Sequence, residues 1–286
     1  MYIVADIGGT KMRIAKSDDL KSFGDPIIQE TPQEYPAGIE LITSTVHDLV
    51  GAGAHIEGVA IGIAGPLSAD KRSVFKTPHL HWDGRNVADD LERTLNSKVY
   101  LENDVALVGL GEAVAGAGAG SSIVAYVTVS TGVNGVRIVD GNIDRTAEGF
   151  EIGGQFLSVE EPRLTLEDMV SGTAISHAFG KAPRDIPKDD PVWAELAEIM
   201  AYGLHNTIVH WSPNRVVLGG SMFNEIGISV PAVEQHVKRI MTKFPITPEI
   251  VHSALGDVGG LHGGLELLRQ KAGHNSGSTS VKISIA

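Results

Sequence analysis

Apolar residues fall in short blocks along the chain, and most blocks end in glycine, a hydroxyl residue or an acid. Runs rich in Val, Ile and Ala predict strands at 3–6, 12–17, 58–63, 98–102, 123–129, 133–139 and 215–218. Between them apolar positions return every three to four residues, which predicts helices at 39–50, 87–95, 105–115, 191–210, 230–242 and 261–271. Strands alternating with helices predict an α/β fold. The order also repeats. Near the start, two or three strands precede a helix and a further strand, and from Ile123 a second run of strands again precedes helices and the strand near Val216. Such a repeat predicts two similar lobes around a cleft, each aiming a phosphate loop at it.

The boundary between the lobes is expected within 109–122, where Gly116-Ala117-Gly118-Ala119-Gly120-Ser121 reads as a small, flexible connector. That run lacks the Lys of a phosphate-binding loop and precedes a strand instead of opening a helix, so it is not read as a nucleotide site. The expected division is an N-terminal lobe of residues 1–108, with the helix at about 260–271 packing back on it, and a C-terminal lobe of residues 109–259. A flexible tail is expected at 272–286, where Gly and Ser accumulate.

Composition narrows the class. The chain has 286 residues, 42% hydrophobic and 20% charged, with no apolar run near the roughly 20 residues of a membrane span, and so reads as soluble and globular. The strand beginning at Tyr2 leaves no room for a basic segment and cleavage site, so a cytoplasmic location is expected. Asp and Glu outnumber Lys and Arg 35 to 23, a formal charge of −12, which makes nucleic acid and anionic membranes poor partners. An anionic ligand must therefore be held by local dipoles, backbone amides or Mg²⁺. The absence of cysteine excludes disulfides, thiolate zinc sites and thiol catalysis. The eleven histidines offer no convincing metal set.

Candidate chemistry begins at Asp6-Ile7-Gly8-Gly9-Thr10, an apolar strand that ends in a carboxylate and a glycine turn. The acid suits a hydrated Mg²⁺, and bare backbone N–H groups suit phosphate oxygens. Glycine is expected there because a Cβ would hold the backbone away from phosphate and penalise a positive φ. An ordinary strand and hairpin turn accounts for the same residues. Tyr126-Val127-Thr128-Val129-Ser130-Thr131-Gly132 and Val216-Val217-Leu218-Gly219-Gly220-Ser221 repeat the pattern of strand into small-residue turn. Glu102-Asn103-Asp104-Val105 places Asp104 at a strand-to-helix corner, the mouth where α/β sheets hold ligands. Asn and Asp are also preferred helix N-caps, and a cap alone accounts for Asp104. The sum of the four segments favours a functional reading.

Asp6-Ile7-Gly8-Gly9-Thr10-Lys11, Glu102-Asn103-Asp104-Val105, Ser130-Thr131-Gly132-Val133-Asn134-Gly135 and Leu218-Gly219-Gly220-Ser221 together resemble the ordered motifs of the ROK family, from about Tyr2 to Lys271. That family comprises bacterial sugar kinases and related repressors on the actin-like, hexokinase-like (ribonuclease H-like) ATPase fold. The resemblance implies that Asp6 orients Mg²⁺ through water and that Gly8, Gly9, Thr10 and Lys11, with Thr131, Gly132 and Val133, wrap the phosphates of ATP. It implies that Gly219, Gly220 and Ser221 approach the adenosine, and that Asn103 and Asp104 grip a sugar, with Asp104 as general base. Gly65-Pro66 resembles the family's turn at the sugar pocket and reads equally as a plain turn. His79, in Thr77-Pro78-His79-Leu80, stands where many members carry Asn. Glu151 and Glu167 resemble sugar-binding acids of the family, and each also reads as a solvated loop acid. Two departures stand out. Gly154 replaces the His that most family kinases use on sugar and zinc, and without cysteine no zinc is expected, so residues 155–165 must hold themselves by packing.

The expected activity is therefore ATP-dependent phosphorylation of a hexose hydroxyl, glucokinase- or hexokinase-like, by a homodimer whose lobes close on sugar and nucleotide to exclude water. A carboxylate that takes the hydroxyl proton contributes about 10²–10⁴-fold, and alignment and charge neutralisation contribute more. Alternatives are a sugar-binding ROK regulator without kinase activity, a polyphosphate-dependent sugar kinase, or an inactive scaffold. ROK repressors carry an additional N-terminal helix-turn-helix, whereas this sequence starts at the Asp6 strand, and polyphosphate needs a basic groove that no Lys/Arg cluster supplies.

Overall fold

The computed structural model describes residues 1–276 apart from 52, 78, 79 and 225. In chain order the strands and helices are β1 (Tyr2–Ile7), β2 (Lys11–Ser17), β3 (Ile27–Glu30), α1 (Tyr35–Val50), β4 (Gly58–Ile63), α2 (Val87–Leu95), β5 (Val99–Asn103) and α3 (Asp104–Ala115). Next come β6 (Ile123–Val129), β7 (Val133–Val139), β8 (Asn142–Ile143), α4 (Leu166–Val170), α5 (Gly172–Phe179), α6 (Val192–Trp211), β9 (Arg215–Gly219), α7 (Ser221–Asn224), α8 (Val230–Ile240), β10 (Glu249–His252) and α9 (Gly259–Ser276). The chain divides into two compact units. It leaves the first between Leu107 and Val108, inside α3, and returns to it between Gly260 and Leu261, near the start of α9.

The first unit holds a five-stranded sheet of order β3-β2-β1-β4-β5. β1, β2 and β3 pair antiparallel, while β1, β4 and β5 run parallel. Every residue of β4, Gly-Val-Ala-Ile-Gly-Ile, is buried, as a central parallel strand covered on both faces requires. Ile3, Ile7, Ile14, Ile61, Ile63, Leu91 and the indole of Trp82 lie in its core. On the other side α9 comes close enough to α3 that a Cβ at Gly263 would stand 1.8 Å from the Leu107 carbonyl oxygen, which only glycine avoids.

The second unit repeats the plan with order β10-β9-β6-β7-β8. β6, β7 and β8 pair antiparallel, and β6, β9 and β10 run parallel. Its core gathers the buried stripe of α6, including Leu196, Met200, Leu204 and Ile208, against Val127, Val216 and Leu218. The repeated sequence pattern is thus a repeated sheet: a three-strand meander continued by parallel strands. This is the α/β architecture the pattern predicts. Three edge strands, β3, β8 and β10, escape the sequence pattern because each is short and partly exposed, with little apolar length to register.

Three expectations change. The Gly/Ala run at 116–121 is a chain of hydrogen-bonded turns inside the second unit. The buried Glu112 carboxylate accepts from the Ala117, Ala254 and Leu255 N–H groups at 2.8–3.1 Å, and the Gly118 N–H donates to the Glu112 carbonyl at 2.9 Å. α9 continues through Ser276, into the stretch read as a tail from 272; residues 277–286 lie outside the description. Residues 155–165 are held by hydrogen bonds as well as by packing, in which Leu157 rests on the core of the second unit. The Leu157 N–H donates to the Leu164 carbonyl at 3.2 Å, and the Asn206 amide donates to Gln155 Oε1 at 3.2 Å, while Phe156 and Val159 stay exposed. Among the described residues no helix is long and apolar enough to cross a membrane.

Candidate functional site

In the first unit, strand register brings the acids together. Asp6 pairs in register with Gly62, and Gly62 with Glu102, so the next positions carry each chain out of the sheet as Ile7, Ile63 and Asn103. A Cβ at Gly62 would lie 3.4 Å from Asp104 Cα and 3.6 Å from Asp6 Oδ1, so both acids border the space above this glycine. Asp6 pairs with Arg13 at 3.7 Å. Asp104 opens α3, and its Oδ1 accepts from the Val105 N–H at 2.8 Å. The residue keeps some solvent access, but its carboxyl is crowded by protein. Burial raises its pKa above the ordinary carboxylate value, and the Val105 hydrogen bond opposes the rise.

The corner is braced from both sides. Asn103 donates from Nδ2 to the Gly65 carbonyl at 3.2 Å and accepts from the Ala106 N–H at 3.1 Å, so one side chain ties the Gly65 turn to the start of α3. Gly65 has φ +105°, which fixes the turn, and the Pro66 carbonyl accepts from the Phe75 N–H at 2.8 Å. Buried Glu102 is ion-paired with Lys71, a non-glycine residue held at φ +53°, and it accepts from the Asn103 N–H at 3.1 Å. Lys71 belongs to no motif, and nothing in the sequence marks it. His79 lies outside the described residues.

The glycine turn after β1 is closed by the Gly8 N–H on the Lys11 carbonyl at 3.0 Å. Its carbonyls point back into the unit: Gly8 O accepts from Thr31 Oγ1 at 2.8 Å, Thr10 O from the Thr31 N–H at 2.9 Å, and Gly9 O from Gln33 Nε2 at 3.4 Å. With its carbonyls so engaged, the turn leaves the Gly9 and Thr10 N–H groups without a hydrogen bond among the described residues. The expected positive φ is not found at Gly8 or Gly9. Crowding explains glycine at position 8 instead, since a Cβ would stand 3.2 Å from the Lys11 carbonyl oxygen.

In the second unit the turn after β6 and the turn after β9 are neighbours, because Thr128 pairs in register with Gly219. Ser221 donates its N–H to Ser130 Oγ at 3.0 Å, joining the two. Gly220 has φ +94°, and a Cβ there would press 2.3 Å from the Val129 carbonyl oxygen, so no other residue fits this turn. The Thr131 carbonyl accepts from both the N–H and the hydroxyl of Thr173, at 3.1 and 2.8 Å. The Thr131 and Gly132 N–H groups make no hydrogen bond among the described residues. A cavity of about 420 Å³ opens here, lined by Ser130, Thr131, Thr173, Ser176, Arg184 and Ser221 among others. Thr173 lies in the first turn of α5 and Arg184 in a short turn, and the sequence motifs mark neither.

The two acids assigned to sugar by resemblance occupy different settings. Glu151 is exposed before the turn Ile152–Gly154, which packs so tightly on β7 that a Cβ at Gly153 would stand 2.2 Å from the Val133 carbonyl oxygen. Glu167, in α4, accepts from the Val133 N–H at 2.7 Å, and its carboxylate would stand 2.6 Å from a Cβ at Gly132. It buttresses the Thr131–Val133 turn instead of standing as a solvated loop acid.

The fold is that of the actin-like ATPases. A ROK hexokinase from Thermus thermophilus superimposes with TM-score 0.81 at 24% identity, over 95% of this chain and 99% of that one. A ROK family glucokinase from Streptomyces griseus, solved with glucose and AMPPNP, gives 0.78 at 24% identity over 94% and 99%. In sequence, a fructokinase of Pediococcus pentosaceus is 25% identical over 290 residues, spanning 95% of this chain and 98% of the relative. Residues 2–271 match the ROK family itself, and the chain belongs to that family.

Proposed function

We propose that this ROK-family protein transfers the γ-phosphoryl group of ATP to a hydroxyl of a hexose, with Asp104 as the general base. The carrying observation is the braced corner: a desolvated carboxyl at the head of α3, fixed beside Asn103 and the Gly65 turn and sharing the space above Gly62 with Asp6. A hydroxyl is a weak nucleophile, and a carboxylate that accepts its proton as the new P–O bond forms lowers that barrier. Burial strengthens Asp104 as a base while leaving it ionised near neutral pH only as far as its raised pKa allows.

The residues fit a nucleotide. Unbonded amides at Gly9, Thr10, Thr131 and Gly132 suit phosphate oxygens, with Lys11 and Val133 flanking them, and the cradle at Gly220 is one a Cβ would fill. Gly219, Gly220 and Ser221 beside the hydroxyl-lined cavity suit the adenosine, and the Streptomyces griseus relative binds AMPPNP. Asp6 would hold Mg²⁺ through water, which would offset phosphate charge. Asn103, Asp104, the Gly65-Pro66 turn and Glu151 would contact the sugar, and Glu167 would act by shaping the Val133 turn. Family resemblance alone supports a cytoplasmic homodimer.

Asp104→Asn tests the reading. Turnover with glucose or fructose and ATP should fall by about 10²–10⁴-fold while sugar affinity, measured by calorimetry, is kept. Undiminished turnover would remove Asp104 from the chemistry, and sugar binding without ATP turnover in the unmodified protein would favour a regulator.

A further inference from the structure

A second cavity of about 420 Å³ lies in the second unit, bordered by Glu151. One wall is aromatic: Phe150 and Trp211 meet edge to face with ring centroids 4.9 Å apart, and Phe156 presents its ring at 62% exposure. The rest is polar. The Gln155 amide is fixed at both ends, accepting from Asn206 at 3.2 Å and donating to the Ile152 carbonyl at 2.9 Å, and His210 stands exposed at the rim. Between Glu151 and Gln155 stands Gly154, where a Cβ would meet nothing within 4 Å.

This is the chemistry that recognises a saccharide ring. Sugar C–H faces pack on aromatic rings, while oriented amides, a carboxylate and an imidazole pair with hydroxyls. The volume lies within the usual range of small-molecule pockets. Phe156, beside these pre-oriented polar groups, leaves most of its surface uncovered, and a stacked sugar ring would cover it. We propose that this cavity is a second saccharide subsite, so that the ligand is a hexose bearing a further sugar ring. The inference rests on the sugar-kinase reading through Glu151, which the monosaccharide would share with this subsite.

Calorimetric titration without nucleotide tests it, comparing glucose and fructose with maltose, cellobiose and sucrose. At least one disaccharide should bind about tenfold more tightly than its component monosaccharides. Phe156→Ala and His210→Ala should each lower that disaccharide-to-monosaccharide ratio, with circular dichroism confirming an intact fold. Monosaccharide phosphorylation with no disaccharide advantage overturns the subsite alone, as does a Phe156→Ala effect equal on both classes. Failure of every saccharide to bind overturns the kinase reading as well.

Discussion

Asp104 is pulled two ways, because the burial that makes it a strong base also destabilises its charged form. Its folded pKa lies above the unfolded carboxylate value of about 3.9, so the folded chain holds the proton more tightly than the unfolded one. Stability from this group is therefore full below the unfolded value and is lost as pH rises through the folded one. Asparagine keeps the shape and can still accept from the Val105 N–H, but it has no charge to desolvate. Asp104→Asn is expected to be more stable than the native protein at pH 7, with the gain vanishing near pH 4, as urea midpoints at the two pH values would show. An inactive but stabilised variant is the signature of a residue kept for chemistry against the interest of the fold. The sequence makes the strand-to-helix corner legible because an apolar run ends at Glu102-Asn103-Asp104 and helical periodicity follows, although Asn103 accepting from the Ala106 N–H is also what a plain helix cap does. It does not reveal Lys71, whose pairing with Glu102 depends on a left-handed backbone position in a loop. Nor does it reveal that Glu167 grips the Val133 N–H, since an acid in a polar stretch looks the same whether solvated or bonded.

At the scale of elements, one buried side chain holds several together. Glu112 lies four residues beyond the point where α3 enters the second unit, and its carboxylate receives N–H groups from the turn after α3 and from the loop after β10. Removing it strands three part-buried donors, each costing toward the low end of the about 1–3 kcal/mol of an unpaired buried group. Glu112→Ala should thus lower the unfolding free energy by about 2–3 kcal/mol, measured by urea denaturation, whereas a loss below about 1 kcal/mol would mean that water replaces the carboxylate. The Gly/Ala run that it clasps shows why composition misleads here. Small residues read as flexible, yet a Cβ at Gly116 would stand 2.2 Å from Glu112 Oε2, so smallness serves the close approach of a carboxylate. Central strands and long helices are plain in the sequence because burial on two faces, or on a full stripe, leaves a periodic record. Edge strands and the short helices α4, α5 and α7 leave none, since their form comes from caps and neighbours, as with the reciprocal Thr165 and Asp168 hydrogen bonds that start α4.

For the whole molecule, the duplicated sheet distributes the candidate residues unequally. Asp6, the Gly8–Lys11 turn, Gly65, Asn103 and Asp104 belong to the first unit, while Thr131–Val133, Gly219–Ser221, Glu151 and Glu167 belong to the second. Each ligand should therefore leave a distinct pattern of amide protection. Gly8 and Val133 already donate within the fold, to Lys11 O and to Glu167, so a nucleotide adds little to them. The amides with most to gain are those of Gly9, Thr10, Thr131 and Gly132, which have no hydrogen bond of their own among the described residues. In hydrogen exchange followed by mass spectrometry, AMPPNP with Mg²⁺ should slow peptides covering 8–12, 129–134 and 218–222, in both units at once. Glucose or fructose alone should slow peptides covering 64–66, 103–106 and 150–154 and leave 218–222 unchanged. Nucleotide protection confined to one unit would mean that the two glycine turns do not serve the same phosphates, and the duplication would then be a relic of the fold's construction instead of a shared phosphate clamp.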